Sequence, residues 1–223
     1  MYARTVEHEG EEQTLSFGVS GKLIMNVLVM YDRQTDSYWS QILGEAVEGP
    51  LAGAKLTALP VLQTTWQEWQ SLHPETLALD TNGMGRYDTY ATYYNSSQTG
   101  VIGETRDDDR LPAKELVLGA VFDDLQIAYP HSLLAEQPVI HDEVDERPLL
   151  VVFQPETRAG LIYDRTIDGD VLTFNVTEDP FKLVDEETGS VWFMLTGNAI
   201  EGPLAGAALQ QVPSTSSFWF GWK

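Results

Sequence analysis

A heptapeptide that occurs twice is the feature that most restricts how this chain can fold. Residues 48–54 and 201–207 both read Glu-Gly-Pro-Leu-Ala-Gly-Ala. Around them, an alignment that places Asp32 on Asp185 and Trp69 on Trp222 needs no gap, and nearly half of its positions are identical. Unrelated sequences of average composition share only a small fraction of positions. We therefore interpret the match as an internal duplication.

The alignment also pairs all six tryptophans, as Trp39 with Trp192, Trp66 with Trp219 and Trp69 with Trp222. Upstream the match continues with a changed offset, which indicates a turn of variable length. Asp168-Gly169 predicts a tight hairpin turn in the second copy, and residues 7–13 predict a longer acidic loop at the same place in the first.

The spacing of turn residues and short apolar segments predicts a mainly β fold, a β-rich α+β class with two pseudo-repeated antiparallel lobes and short helices. We predict a first repeat unit at residues 1–79 that lacks its leading strands. A tyrosine-rich acidic linker would follow at 80–114, and a second repeat unit at 115–223. Missing leading strands would leave a sheet edge in the first unit for a protein partner or a second copy to cover.

Local patterns predict individual elements within these units. Thr65 and Glu68 form a capping-box pattern that starts a helix before Pro74. Pro130 opens a short helix or turn. The remaining expectations are a strand at Leu149–Phe153, an antiparallel pair at Leu161–Ile167 and Val171–Val176, and a hairpin at Leu116–Phe122 and Leu125–Tyr129 around Asp123-Asp124.

The charge balance excludes some classes of partner. With 34 Asp and Glu against 13 Lys and Arg, the net charge is -21, so phosphate backbones should repel the chain. We predict no nucleic-acid binding. The absence of cysteine excludes disulfides and thiolate metal sites. No apolar segment is long enough to span a bilayer, and the N-terminal residues do not resemble a signal peptide.

At several positions of the alignment, the first copy has a polar residue where the second has an apolar or uncharged one. These polar residues predict where a ligand would bind. Together with neighbouring tryptophans they could form a concave patch that stacks on and hydrogen-bonds a small polar molecule. The alternative is an aromatic core with helix-capping residues. The candidate ligand-binding residues are Trp39, Ser40, Gln41, Glu45, Thr64, Thr65 and Trp66.

Other residues suggest chemistry only weakly. His131 and His141 could contribute to a metal site, and Asp107-Asp108-Asp109 could hold calcium, but isolated histidines and acidic runs are more often solvated. The four histidines do not have the spacing of a serine triad. We predict no cofactor and no assigned metal site. Asn95 and Asn175 stand in glycosylation sequons that matter only in an exported protein.

Several motifs together resemble one family. They are Leu15-Ser16-Phe17-Gly18-Val19-Ser20-Gly21, Met30-Tyr31-Asp32-Arg33, Gly49-Pro50-Leu51-Ala52-Gly53, Arg110-Leu111-Pro112-Ala113-Lys114-Glu115 and Ala128-Tyr129-Pro130. In these motifs the chain is similar to the protein family named domain of unknown function 3179. The resemblance implies a protein that is often exported or lipid-anchored and normally carries a Cys-Pro-x-Cys segment, which has no counterpart here. It implies a fold and no established reaction.

These observations lead to two functional hypotheses. The first is an extracytoplasmic structural or protein-interaction component, a non-enzymatic part of a larger assembly. The alternative is a small polar ligand-binding protein or an enzyme, with its site in the first repeat around Trp39, Ser40, Gln41 and Glu45.

Overall fold

The computed structural model describes residues 1–80, 90–103, 108–122 and 125–222. Short antiparallel strands dominate this part of the chain, and the longest of its helices has seven residues. The predicted β-rich class with short helices is confirmed. Within the described ranges, no helix has the length and apolar character needed to cross a bilayer. The predicted division into two lobes and a linker stays a prediction.

The N-terminal strands form a hairpin followed by a four-stranded sheet. The elements up to residue 94 are β1 (Thr5–His8), β2 (Glu11–Thr14), β3 (Phe17–Ile24), β4 (Val27–Asp32), β5 (Tyr38–Ser40), β6 (Glu45–Glu48), α1 (Trp66–Leu72) and α2 (Ala91–Tyr94). β1 pairs with β2, and β3 to β6 pair in chain order, all antiparallel.

The rest of the chain adds three further sheets and a second hairpin. Its elements are β7 (Leu116–Phe122), β8 (Leu125–Pro130), α3 (His131–Glu136), β9 (Val139–Val144), β10 (Arg147–Gln154), β11 (Ala159–Asp164), β12 (Thr166–Ile167), β13 (Asp170–Val171), β14 (Phe174–Val176), β15 (Lys182–Asp185), β16 (Val191–Phe193), β17 (Asn198–Glu201), β18 (Gln210–Val212), β19 (Thr215–Phe218) and α4 (Trp219–Trp222). The sheets have the orders β18-β11-β10-β9, β14-β15-β16-β17 and β19-β7-β8, and β12 pairs with β13.

Strand β10 is buried on both of its faces. Leu150 and Val152 belong to one core cluster, and Leu149, Val151 and Phe153 belong to another. All five are at most 2% exposed. Because successive strand residues point to opposite faces, an uninterrupted apolar run is expected where both faces are covered. The run at 149–153 thus joins two cores, and each fully buried side chain contributes roughly 1.5–3 kcal/mol.

A buried hydrogen-bond network organises the sheet of β3 to β6. The indole N–H of Trp39 donates to Oδ2 of Asp32 at 2.9 Å, and the backbone N–H of Thr35 donates to Oδ1 at 2.6 Å. The Thr35 hydroxyl lies 2.7 Å from Oγ of Ser37, which accepts the backbone N–H of Leu51 at 3.0 Å. Asp32, Ser37 and Trp39 have no exposed surface. The network fixes the β4–β5 turn and attaches the following Gly-Pro-Leu-Ala-Gly turn to it.

The matching segment of the second half makes the same bonds. The Trp192 indole N–H donates to Oδ2 of Asp185 at 2.8 Å, and the Thr188 backbone N–H donates to Oδ1 at 2.6 Å. Thr188 and Ser190 hydroxyls lie 2.7 Å apart, and Leu204 N–H donates to Ser190 Oγ at 3.0 Å. The residues that are identical in the alignment therefore have equivalent bonding partners.

Hydrogen bonding keeps the two network aspartates ionised. Burial alone would raise the pKa of Asp32, but the bonds from Trp39, Thr35 and Gln34 outweigh it and lower the pKa. Burial is likewise outweighed at Asp185, where bonds from Trp192 and Thr188 lower the pKa. An ionised carboxylate accepts stronger hydrogen bonds than a neutral acid. Both networks are therefore charge-assisted.

The hairpin turns correct the predicted loop at residues 7–13, and they show that the predicted pair around Asp168-Gly169 is shorter than expected. Residues 7–13 are not a loop, because Glu9 and Gly10 adopt positive φ in a two-residue turn between β1 and β2. Asp168 and Gly169 adopt positive φ as predicted. The hairpin that they close contains only β12 and β13, since β14 pairs with β15. The β7–β8 pairing is as predicted, and Asp123-Asp124 lie outside the described residues.

The helix at α1 begins as its sequence predicts and packs on the second half of the chain. The hydroxyl of Thr65 accepts the backbone N–H of Glu68 at 3.2 Å. Leu62 and Leu72 pack against the core cluster of β10, β11 and β14 to β17. The carbonyl oxygen of Val61 accepts a 2.9 Å hydrogen bond from the Gln211 amide. Residues 61–72 thus connect the two matching segments.

The Gly-Pro-Leu-Ala-Gly turns offer a matched pair of substitutions. Gly49 has φ +103, and a Cβ there would lie 2.7 Å from the backbone Cα of Ser37. Gly53 has φ +87, but a Cβ added there would meet no atom within 4 Å. We expect Gly49→Ala to lower the free energy of unfolding by about 1–3 kcal/mol more than Gly53→Ala, because only the former adds a clash to the backbone strain. Urea denaturation measures both, and equal losses would contradict the predicted contact.

Candidate functional site

Two of the predicted ligand-binding residues are core residues. Trp39 has no exposed surface and packs edge-on against Phe17, with ring centroids 5.6 Å apart. Ser40 is 5% exposed, and its hydroxyl accepts the Leu43 N–H at 3.4 Å. A stacked ligand needs an accessible ring face, so the predicted patch does not form around Trp39. The alternative interpretation, an aromatic core, describes this residue.

The other two predicted residues in this sheet lie at its surface. Gln41 is exposed and lines a cavity with Asn26 and residues 215–218. Glu45 is half-buried and faces Ser40 and Lys55 across strand pairings. Neither residue lines the cavities that Thr64 and Thr65 border.

The remaining candidates, Thr64, Thr65 and Trp66, lie together at the start of α1. All three line a shallow cavity with Trp69, and Trp66 is 50% exposed. Thr65 already caps the helix. Thr64 and Thr65 also border a deeper cavity on the other side of the segment.

This deeper cavity, the threonine–histidine cleft, has a volume of about 420 Å³. It is bordered by segments from six parts of the chain, none adjacent in sequence. Its lining residues are Gln63, Thr64, Thr65, Tyr94, Leu116, His131, Thr157, Arg158, Ser216, Ser217 and Phe218. The sequence hypotheses included Thr64, Thr65 and, as a metal ligand, His131. No local pattern indicated the others, because only the tertiary fold brings them together.

His131 is the titratable group of the cleft. Its Nε2 lies 3.5 Å from Oγ of Ser216, while its buried Nδ1 has no hydrogen-bond partner among the described residues. Its ring packs against Phe153 at a centroid distance of 4.8 Å. Burial lowers the pKa of His131, the carboxylate of Glu115 raises it, and Arg158 lowers it further, with a net lowering. The imidazole is therefore mainly neutral at pH 7.

A second polar atom of the cleft is in the same situation. The hydroxyl of Thr64 is buried and makes no hydrogen bond to any residue that the structure describes. Nearby, Gln154 accepts the backbone N–H of Thr157 at 2.7 Å and so positions the loop that carries Arg158. Arg158 itself has φ +55, a conformation that a non-glycine residue adopts at some cost.

The segment that carries Tyr94 contacts Asn26 on one side and Phe218 on the other, with the ring centroids of Tyr94 and Phe218 6.1 Å apart. The Asn26 side chain accepts the backbone N–H groups of Val101 and Ile102, each at 2.9 Å. Lys114 donates to the carbonyl oxygens of Tyr93 and Ser96. The described part of the predicted linker therefore packs as an ordered segment, whereas Tyr87 and Asp107 lie outside the described residues.

His141 lies apart from the cleft, in β9, and has a structural partner. Its Nε2 accepts the backbone N–H of Phe174 at 2.9 Å, which connects β9 to β14. Burial lowers the pKa of His141, and Arg165 lowers it further. In the described part of the chain, no three His, Asp or Glu side chains are grouped to hold a metal ion. The proposed metal roles of His131 and His141 gain no support from this arrangement.

The two sequon asparagines are both exposed. The Asn95 amide donates to the carbonyl oxygen of Ala91 at 2.9 Å, and that of Asn175 donates to Glu186 Oε1 at 2.9 Å. Of the predicted acidic cluster, Asp108 pairs with Arg110 at 2.6 Å.

Comparison with known proteins identifies one family. A family model described as protein of unknown function (DUF3179) matches residues 1–223. Neither a search of curated proteins nor a search of solved structures gives a significant match.

The bond of His141 predicts a pH dependence of stability. Because folding lowers its pKa, the unfolded chain binds more protons once the pH falls below about 6.5, and stability is lost as the pH falls toward the folded-state pKa. We expect the unfolding free energy of the wild type to decrease from pH 8 to pH 5. The unfolding free energy of His141→Gln, which keeps a hydrogen-bond acceptor, should decrease less over the same range. His131→Gln should also weaken the pH dependence, since burial lowers the pKa of His131 as well, and the double variant should weaken it most. An identical pH profile for wild type and His141→Gln would contradict this.

Proposed function

This chain belongs to the DUF3179 family of proteins of unknown function, and we propose that it binds a small polar ligand in the threonine–histidine cleft. One observation carries the proposal. Thr64 and His131 both line the cleft, and within the described part of the chain each has a buried polar side-chain atom without a hydrogen-bond partner.

Unpaired buried groups have an energetic cost that calls for an explanation. A buried donor or acceptor without a partner destabilises the fold by about 1–3 kcal/mol. Folded proteins leave few such groups, and many of these occur at functional sites. A ligand that hydrogen-bonds to Thr64 and His131 would recover part of this cost, so the free energy of binding would include it.

Ligand entry requires a local rearrangement of these side chains. Both of these atoms are shielded from water. The proposal therefore requires a side-chain rotation of Thr64 or His131 that brings these atoms to the cavity. Ser216, 3.5 Å from Nε2 of His131, can follow such a rotation because a hydroxyl both donates and accepts.

The cavity is of a suitable size for this role. Its volume of about 420 Å³ falls within the range of small-molecule sites. Hydroxyl, amide and imidazole groups line one part, and Leu116 and Phe218 supply apolar surface. This combination favours a ligand with a polar group and a small apolar body. The ligand site is thus proposed beside Thr64 and Thr65, away from Trp39, Ser40, Gln41 and Glu45.

A second candidate function retains the hypothesis of an extracytoplasmic structural or interaction component. It is favoured by a groove of about 290 Å³ whose lining includes both polar and exposed apolar side chains. Four side chains at the groove are unusually exposed for their type, namely Met1 (74%), Leu43 (44%), Leu59 (38%) and Val121 (42%). Clustered exposed apolar side chains are typical of contact surfaces. A strand of a protein partner is the occupant proposed here, and an extracytoplasmic location is proposed with it.

The cleft proposal is tested with Thr64→Val, which removes a hydroxyl while keeping the shape. Because that hydroxyl is unpaired, we expect the variant to be as stable as the wild type or more stable by up to about 1 kcal/mol. We also expect weaker binding of whichever probe among glucose, acetate and inorganic phosphate shifts the NMR signals of the His131 ring. Thr57→Val, at an exposed threonine outside the cleft, is the control.

Two results would refute the cleft proposal. One is a substantial loss of stability in Thr64→Val, which would mean that the hydroxyl has a structural partner. The other is the absence of any shift of the His131 signals with all three probes.

The groove proposal is tested by changing its surface without changing the core. We expect Leu43→Glu and Leu59→Glu to leave the unfolding free energy within about 0.5 kcal/mol of the wild type, since both residues are exposed. Each should abolish co-purification of a protein that associates with the wild-type chain in its native host. Unchanged co-purification with both variants would count against the groove.

A further inference from the structure

Acidic residues are missing from the lining of the threonine–histidine cleft. The chain has 34 Asp and Glu residues, yet none of the eleven residues that line this cavity is acidic. Glu115, which acts on His131 electrostatically, is outside the lining, and its Oε1 accepts the Ser132 backbone N–H at 2.9 Å. The other cavities between described residues share this lack of acidic lining, so the lining by itself is permissive for an anion.

The cleft also contains a cation without an ionic partner. Arg158 lines the cavity, and in the described ranges no carboxylate oxygen lies within ion-pair distance of its guanidinium. Arg158 is exposed and shares this lack with most Lys and Arg residues of the described ranges, where only Arg110 and Lys182 form ion pairs. A guanidinium presents five N–H donors in a plane that matches the oxygens of a carboxylate or a phosphate.

The other polar groups of the cleft complement an anion. Hydroxyls of Thr64 and Ser216 can donate hydrogen bonds, and so can one nitrogen of the neutral His131 ring. The positive charge of Arg158 lowers the pKa of His131, and the carboxylate of Glu115 acts on the same ring more strongly in the opposite direction. A negative charge placed there would meet a cation and several donors and no lining carboxylate.

We infer that the polar group of the ligand is an anion, a carboxylate or phosphate, bound by the Arg158 guanidinium with Thr64, His131 and Ser216 as further donors. This inference rests on the proposed binding function and specifies its ligand class. The opposing long-range field of the acidic chain would slow the approach of an anion and make binding depend on ionic strength. Carboxylate and phosphate share the required chemistry, and separate titrations distinguish them.

The test compares acetate, inorganic phosphate and neutral glucose by NMR of the His131 ring in the full chain at pH 7. We expect acetate or phosphate, but not glucose, to shift these signals. Arg158→Gln should weaken that binding by about tenfold or more, as expected for one charge-assisted hydrogen-bond pair. Arg33→Gln, which removes an exposed arginine outside the cleft, should leave the affinity unchanged.

The outcomes separate this inference from the function on which it rests. If glucose shifts the His131 signals and Arg158→Gln binds every probe as the wild type does, the anion inference is overturned and the polar-ligand function stands. If no probe shifts the signals, both fail. Loss of anion binding in Arg158→Gln together with an unchanged circular dichroism spectrum and unfolding midpoint supports the inference. The stronger of acetate and phosphate then identifies the kind of anion.

Discussion

The hydrogen bond from a buried tryptophan indole to a buried aspartate is the interaction on which the rest of the structure depends. Trp39 and Asp32 make it in one half, and Trp192 and Asp185 in the other. Each aspartate also fixes the turn between two strands, and a neighbouring serine attaches the Gly-Pro-Leu-Ala-Gly turn. A buried carboxylate is costly unless hydrogen bonds satisfy it, so the turn, the strand and the indole must be placed together.

The parts of the fold that depend on local chemistry could be predicted from the sequence. Turn glycines, the Thr65 cap and the apolar run at 149–153 each indicate a backbone conformation through near neighbours. The cleft could not be predicted in this way. His131, Arg158 and Ser216 become neighbours only through strand pairings between distant segments. The sequence contains no local signal for such a juxtaposition.

Differences between the matching segments were an incomplete guide to function. Gln41 aligns with Met194, and this contrast suggested a polar site in the first segment. Met194 is 3% exposed and packs in a core cluster that β10 and β11 cover, whereas Gln41 is exposed. The polar-to-apolar difference between Gln41 and Met194 therefore follows from burial, since only Met194 is covered by other strands. Trp39 is a tryptophan in both segments, as Trp192 in the second, and both are buried in the core. Its presence in the predicted ligand patch was therefore not indicated by a difference between the segments.

Hydrogen exchange of the tryptophan indole N–H groups, followed by NMR in D₂O, tests the dependence of both halves on the aspartate–tryptophan bond most directly. The indole protons of Trp39 and Trp192 should exchange slowest of the six and at similar rates, because both are buried and bonded to a carboxylate. The indole proton of Trp66, a residue that is 50% exposed, should exchange far sooner. Exchange of Trp39 or Trp192 as fast as that of Trp66 would contradict the central role of this bond.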